Sequence, residues 1–228
     1  MKLHTKDIII KEEMLTLTNQ RALFWRAQQA LVLSDLHIGK SAHFRKSGIP
    51  ISDQVLQKDL ERLKALILHF NARQLIIVGD LFHAEVNSDI QTFKTWLLQF
   101  EGLELYLVIG NHDRVSNTIY EALNIKISNP ALEILPFRFI HDKVKPVEAH
   151  FIISGHTHPG VVIRGKAKQS IKLPCYQVTN FQLILPAFSL FTGLNTKGGP
   201  NIVKIMLLQT PVFLKFNVLH ALKENLQL

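Results

Sequence analysis

Where the short apolar runs of this chain stop, acids and imidazoles follow. Ala30–Leu33 runs through Ser34 into Asp35 and His37, two residues apart. The pattern then recurs: residues 75–78 lead to Gly79-Asp80, residues 103–109 to Gly110-Asn111-His112-Asp113, Phe137–Ile140 to His141, and Phe151–Ser154 to Gly155-His156-Thr157-His158. In an extended segment, residues i and i+2 point to the same side, so Asp35 and His37 are expected to face one point. Carboxylate oxygen combined with imidazole nitrogen suits manganese, iron or zinc. Any one of these residues could instead be a capping acid or a core histidine on a backbone carbonyl. Five strand ends of the same design favour a shared site, because ligands of α/β sheets gather at the carboxyl ends of the strands.

Asp35, His37, Asp80, Asn111, His141, His156 and His158 are more groups than one tetrahedral zinc needs. A pair of divalent ions fits them better, since one carboxylate can bridge two ions about 3.5–4 Å apart. A water between such charges loses its proton near neutral pH and becomes a nucleophile. No Ser or Cys is then required, and the lone Cys175 has no neighbouring His in sequence.

The elements that must carry these residues are read from periodicity. Residues 8–10, 15–17 and 22–25 are short apolar pieces suited to antiparallel strands. Ala30–Leu33 is a buried strand, followed by a helix that Ser52 caps and that runs to Phe70, because Leu56, Leu60, Leu63, Ile67 and Phe70 step along one face. After the strand at 75–78, Ser88 and Gln91 have capping-box spacing ahead of Phe93, Trp96, Leu97 and Phe100. A strand at 103–109 and a short helix near Ser116 complete an alternation that predicts parallel strands. From Ile125 strands dominate, at Phe137–Ile140, Phe151–Ser154, 161–163, 176–179, 182–185, 202–207 and 212–218, until a helical stretch near Leu219.

The 228 residues, 47% of them hydrophobic, suffice for one sizeable core, and no linker divides them, so residues 1–228 are expected to form a single domain. Lys and Arg number 26 against 18 acids, a formal charge of +8, which favours anionic partners such as nucleic acid. A single cysteine excludes an intrachain disulfide. No signal-peptide core or spanning segment is present, so a cytoplasmic protein with no membrane association is expected. His4, His69, His150 and His220 stand outside the motifs and are assigned to structure or surface.

Taken in order, Asp35-Leu36-His37, Gly79-Asp80, Gly110-Asn111-His112-Asp113, His141 and Gly155-His156-Thr157-His158 resemble the signature blocks of the calcineurin-like metallophosphoesterases. The resemblance implies a four-layer α/β/β/α sandwich with two mixed sheets. It implies that Asp35, His37 and His158 hold one ion, that Asn111, His141 and His156 hold the other, and that Asp80 bridges. His112 would protonate the leaving oxygen or steady transition-state charge, supported by Asp113. The flanking blocks Ser34–Lys40, His43–Pro50, Gly79–His83 and Leu185–Gly193 are similar to the ligase-associated DNA-repair branch of the family. That likeness implies a manganese-dependent DNA endonuclease working beside a DNA ligase and a helicase, with iron or zinc as other possible ions. His141 precedes Asp142, where many relatives have Gly, and Asp142 could orient an imidazole. Lys40, His43, Arg45, His83 and Arg114 lie close to the motifs and could bind substrate phosphates. A phosphomonoesterase or small-nucleotide phosphodiesterase would use the same metal core. A scaffold that had lost its metals would lack a ligand or His112, and none is missing.

Overall fold

The computed structural model describes residues 2–52, 54–83, 88–142, 150–165, 169–197, 202 and 204–206. One sheet has seven strands in chain order: β1 (Thr5–Ile10), β2 (Glu13–Thr18), β3 (Leu23–Trp25), β4 (Ala30–Leu33), β5 (Gln74–Val78), β6 (Glu104–Val108) and β7 (Ile125–Ser128). Strands β1 to β4 pair antiparallel, and β4 to β7 pair parallel. The switch follows from the connections. Short turns join the first four strands, whereas helices α2 (Gln54–Phe70), α3 (Ser88–Leu97) and α4 (Asn117–Ala122) separate the later ones, and a parallel pair needs such a crossover.

The second sheet comprises β8 (Ala131–Ile134), β9 (Phe137–Ile140), β10 (Phe151–Ser154), β13 (Tyr176–Val178), β14 (Gln182–Ile184) and β15 (Lys204–Met206), in the spatial order β15-β13-β14-β10-β9-β8. Its three central strands β9, β10 and β14 run parallel. A hairpin of β11 (Gly160–Arg164) and β12 (Ser170–Pro174) stands apart from both sheets.

Alternation along the strands divides the core into two layers. Leu31, Leu33, Leu75, Ile77, Leu105 and Leu107 face the helices and meet Leu60, Leu63, Phe93 and Tyr120. Their neighbours Ala30, Val32, Ile76, Val78 and Val108 face the second sheet and meet Phe137, Phe139, Ile153 and Leu183. Because both faces are covered, the central parallel strands read as unbroken apolar runs. The two packed sheets fix their strand ends against each other, and the ligand loops leave from those ends.

The strands and helices follow the expected order, with differences at the weakest signals. Ser52 caps α2 as predicted, its Oγ accepting the Gln54 amide at 3.3 Å, whereas Ser88 is the first helical residue of α3. Helix α1 (Lys40–Lys46) was not predicted; it is seven residues long and lacks an apolar stripe. Strands β7, β8 and β12 are likewise additional. Two large mixed sheets packed face to face, with helices over the outer face of the first, agree with the sandwich expected. The strand expected at 212–218 and the helix near Leu219 lie outside the described residues.

Candidate metal centre

All the candidate ligands lie in loops at the carboxyl ends of β4, β5, β6, β9 and β10. The loop after β4 does not continue as a pleated strand. Asp35 and His37 both have left-handed backbones, with φ of 55° and 51°. Their convergence therefore comes from two left-handed turns separated by the buried Leu36, rather than from the alternation of an extended segment. The β5 loop locks this shape: the Asp35 amide donates to the Gly79 carbonyl at 3.0 Å, His37 to Asp80 at 2.9 Å and Ile38 to Leu81 at 2.8 Å. Asp80, His156 and His158 also have positive φ, at 55°, 62° and 46°. Asp and His are among the few non-glycine types that enter this region with any frequency.

The ligands assemble into two groups. Asp35, His37 and His158 form one and Asp80, His141 and His156 the other, with the ligand atoms of each within 4.8 Å of one another. His158 Nε2 lies 3.1 Å from Asp35 Oδ1. His141 Nε2 lies 3.3 Å from Asp80 Oδ2, 3.2 Å from Asn111 Oδ1 and 3.3 Å from His156 Nδ1. The same Asp80 Oδ2 is 4.0 Å from His37 Nε2, which puts this carboxylate between the groups.

Two observations show that the donor set fits divalent cations. His37 is 4% exposed, yet neither ring nitrogen has a hydrogen-bond partner among the described residues, and a buried polar atom left so is costly. His141 Nδ1 sits 2.9 Å from the Val78 carbonyl, which assigns the Nδ1 proton to that bond. Its Nε2 then faces a carboxylate, an amide oxygen and another imidazole, a cluster of acceptors that a proton satisfies in the metal-free protein and that a cation would satisfy in its place. Glycine at position 79 makes room: with φ of 82°, any Cβ there would collide with the His141 ring.

The electrostatics agree. Burial, with the Lys40 charge next, pushes the His37 imidazole down to about 3, so it is neutral at physiological pH, the form that ligates metals. Burial alone would raise Asp80, but hydrogen bonding and charge from His141 hold it at about 2. Burial would lower His141 in turn, and the Asp80 carboxylate instead raises it to about 9. A proton on His141 Nε2 thus occupies the direction in which a metal ion would bind.

The residues named beside the ligands fall into distinct places. The ring of His112 stands 5.3 Å from that of His37 and stacks on His83 at 4.7 Å, with its backbone amide donating to Asp80 Oδ1 at 2.9 Å. The expected support of His112 by Asp113 is not formed. Asp113 accepts the amides of Asp80 and Gly110 through Oδ2 and that of Phe82 through Oδ1, at 2.8–2.9 Å, so it braces the metal loops from below. Burial pushes its carboxyl up to about 7, against the pull of those amides. His43 joins the imidazole cluster 5.5 Å from His83, and burial, with the neighbouring His112, lowers His83 to about 4. Lys40 lies close enough to lower His37, with its ammonium 5.7 Å from the Phe191 ring. Arg45 is engaged elsewhere: its guanidinium pairs with Asp89 at 3.7 Å and donates to the Ile51 carbonyl, tying α1 to α3. Arg114 is exposed and donates to the Asn111 carbonyl at 3.2 Å. Asp142 Oδ1 approaches His156 Nε2 at 3.8 Å, on the side of the ring away from the ligand nitrogen. Segment 187–190 lies within the Leu185–Gly193 block already singled out, but its role did not follow from residue type: its backbone pairs with Ser34 and Asp35, and as a loop without titratable groups it carries no ligand signal.

Two packed mixed sheets with a dinuclear ligand set at their strand ends define a metal-dependent phosphoesterase. Residues 29–145 match the calcineurin-like phosphoesterase family, and the chain belongs to it. Among solved structures, the Pseudomonas putida nuclease MPE is similar at 30% identity, covering 86% of this chain and 92% of that one, with a TM-score of 0.73. The phosphoesterase Yfce from E. coli is similar at 16% identity over 79% of this chain and 99% of that one, with a TM-score of 0.44. No curated protein matches the chain. No described helix is long and apolar enough to cross a membrane.

Proposed function

We propose that this phosphoesterase is a two-metal phosphodiesterase that cuts DNA endonucleolytically in repair, with manganese as its working ion. The observation that carries the two-ion reading is Asp80 Oδ2, which faces His141 Nε2 at 3.3 Å and His37 Nε2 at 4.0 Å and so serves both ligand groups. When bound, a pair of divalent ions supplies charge for the phosphoryl oxygens and an activated water for in-line attack. The chain's own part is to orient and to move a proton. His112, whose ring makes no hydrogen bond among the described residues, is placed to give a proton to the leaving oxygen. His83, held down to about 4, is neutral and backs the His112 ring as an uncharged plane. Lys40 and the exposed Arg114 add positive charge at the rim, suited to a phosphodiester backbone.

DNA is favoured as substrate by the formal charge of +8 and by the 30% identical nuclease. A role beside a DNA ligase and a helicase rests on the resemblance of the flanking blocks. The test incubates purified protein and Mn2+ with circular plasmid and with single-stranded DNA. Nicks and internal fragments that disappear with EDTA are expected. Intact DNA alongside rapid turnover of a small phosphomonoester would refute the DNA reading.

A further inference from the structure

Behind the first ligand group lies a buried polar network that the chemistry above does not use. On α2, Asp59 and Arg62 are paired out of solvent, Arg62 Nη1 donating to Asp59 Oδ1 at 2.6 Å, with side chains 3% and 9% exposed. Replacing a buried ion pair by apolar residues is often neutral or stabilising, so stability alone does not account for it. Its other hydrogen bonds point to a role. Arg62 donates to the Phe188 carbonyl at 3.1 Å, to the Gln20 carbonyl at 2.8 Å and to Gln20 Oε1 at 3.2 Å, with its guanidinium 4.4 Å over the Phe188 ring. Asp59 accepts the Leu190 amide at 3.1 Å. From the β2–β3 turn, Arg21 donates to the Ser189 carbonyl at 2.8 Å. Segment 187–190 is thus gripped from the helix and from the turn. Its inner edge grips the metal loop, with the Phe188 amide on the Ser34 carbonyl at 2.8 Å and the Ser189 amide on the Asp35 carbonyl at 3.2 Å.

We propose that Asp59 and Arg62 are positioning residues which, through segment 187–190, hold Asp35 in the left-handed conformation that lets it ligate an ion with His37 and His158. A left-handed non-glycine residue is disfavoured by its Cβ and persists only where its surroundings over-determine it. Around Asp35 they do: Gly79 fixes its amide, and Ser189 fixes its carbonyl. No residue of the second ligand group hydrogen-bonds segment 187–190 among the described residues, and that group's hydrogen bond to Asp35 is the one from the His156 amide to Oδ2 at 3.2 Å, so the effect falls chiefly on the first ion.

The inference rests on the two-ion reading, and Mn2+ calorimetry in two single-site backgrounds separates them. His141→Ala disables the second group, and His37→Ala disables the first. Arg62→Lys keeps the charge but cannot supply the guanidinium fork to several acceptors at once. It should weaken Mn2+ binding at least about tenfold in the His141→Ala background, within the range known for outer-shell changes. In the His37→Ala background the change should stay below about twofold. Equal weakening in both backgrounds, or in neither, overturns the proposal. If Arg62→Lys shows no cooperative melting transition, Asp59→Asn, nearly identical in volume, is judged by the same pair of outcomes. Wild-type protein that binds no Mn2+ would overturn the metal centre itself and the proposal with it.

Discussion

Alanine at position 155 should cost this enzyme far more activity than stability. Gly155 follows β10 and precedes His156, and a Cβ built on it would lie 2.5 Å from Ser34 Cβ, 2.8 Å from Ser34 Oγ and 2.9 Å from Asp35 Oδ2. Non-bonded carbons pack at about 3.5–4.0 Å, so the β4 and β10 loops must part by about 1 Å. Neither neighbour can yield cheaply, since Ser34 and Asp35 are fully buried and tied into backbone pairing on both sides. The folding cost is that of overpacking, about 1–3 kcal/mol, and each kcal/mol lowers the melting temperature of a chain this long by about 2–4 °C. The catalytic cost is steeper. The displacement opens the 3.1 Å separation of Asp35 Oδ1 and His158 Nε2, and a misplacement of about 1 Å is worth about 10²-fold in rate. Turnover of bis(p-nitrophenyl) phosphate with saturating Mn2+, measured beside thermal melting, reads both. A folded Gly155→Ala variant within about threefold of wild-type kcat/KM would refute the reasoning. Gly193→Ala is the matched control: a Cβ there meets nothing within 4 Å, so both readings should stay unchanged.

Other perturbations separate the roles within the site. His112→Ala should lower kcat by about 10²–10⁴ while leaving Mn2+ affinity as it was, because its ring belongs to neither ligand group; a calorimetric loss of affinity would count against the proton-donor role. Asp80→Ala should abolish metal-dependent turnover in a protein that still melts cooperatively, and near-normal activity would contradict the bridging position. In metal-free protein the His141 imidazole is raised from 6.5 to about 9 by Asp80. Its pairing therefore stabilises the fold in full below about pH 6.5, and this contribution is lost as pH rises through about 9. The stability gap between wild type and His141→Gln, taken from urea midpoints with chelator present, should narrow across that window. A gap that does not change with pH would remove the Asp80–His141 coupling as its cause.

The two candidate ligand groups were legible because each of their residues follows an apolar run, and both features are local. A buried parallel strand must be apolar on both faces, so β4, β5 and β6 announced themselves, and the loop after each was the natural place to look. The helix stripe of α2 was equally plain, with Leu56, Leu60, Leu63 and Ile67 buried. Less legible were the parts whose meaning is set by distant partners. Asp113 sits next to His112 in sequence, which suggested a contact, yet its carboxylate reaches three amides of the loops on either side of the sheet ends. Arg45 lies one helical turn from the ligand loop but pairs with Asp89 on α3. Asp59 and Arg62 look like ordinary surface positions of an amphipathic helix until segment 187–190, more than a hundred residues later, closes over them.

The left-handed backbones bind these levels together. Five of the seven candidate ligands, namely Asp35, His37, Asp80, His156 and His158, have φ between 46° and 62°. In two of the loops the pattern is ligand, buried or half-buried residue, ligand, so that the intervening Leu36 and Thr157 turn away while the flanking side chains turn toward the site. Such a backbone is unfavourable by about 1–2 kcal/mol per residue, and here it is held by neighbouring amides and carbonyls: Gly79 and Asp80 for the first loop, Asp35 Oδ2 for the His156 amide, and Asn195 for the His158 carbonyl. Ligand direction is thus decided by the packing of loop against loop rather than by the ligand residues alone. It follows that the centre is sensitive to residues that never touch an ion. Gly155, which lets two loops approach, and Arg62, which donates to the Phe188 carbonyl of a third segment, are two such positions.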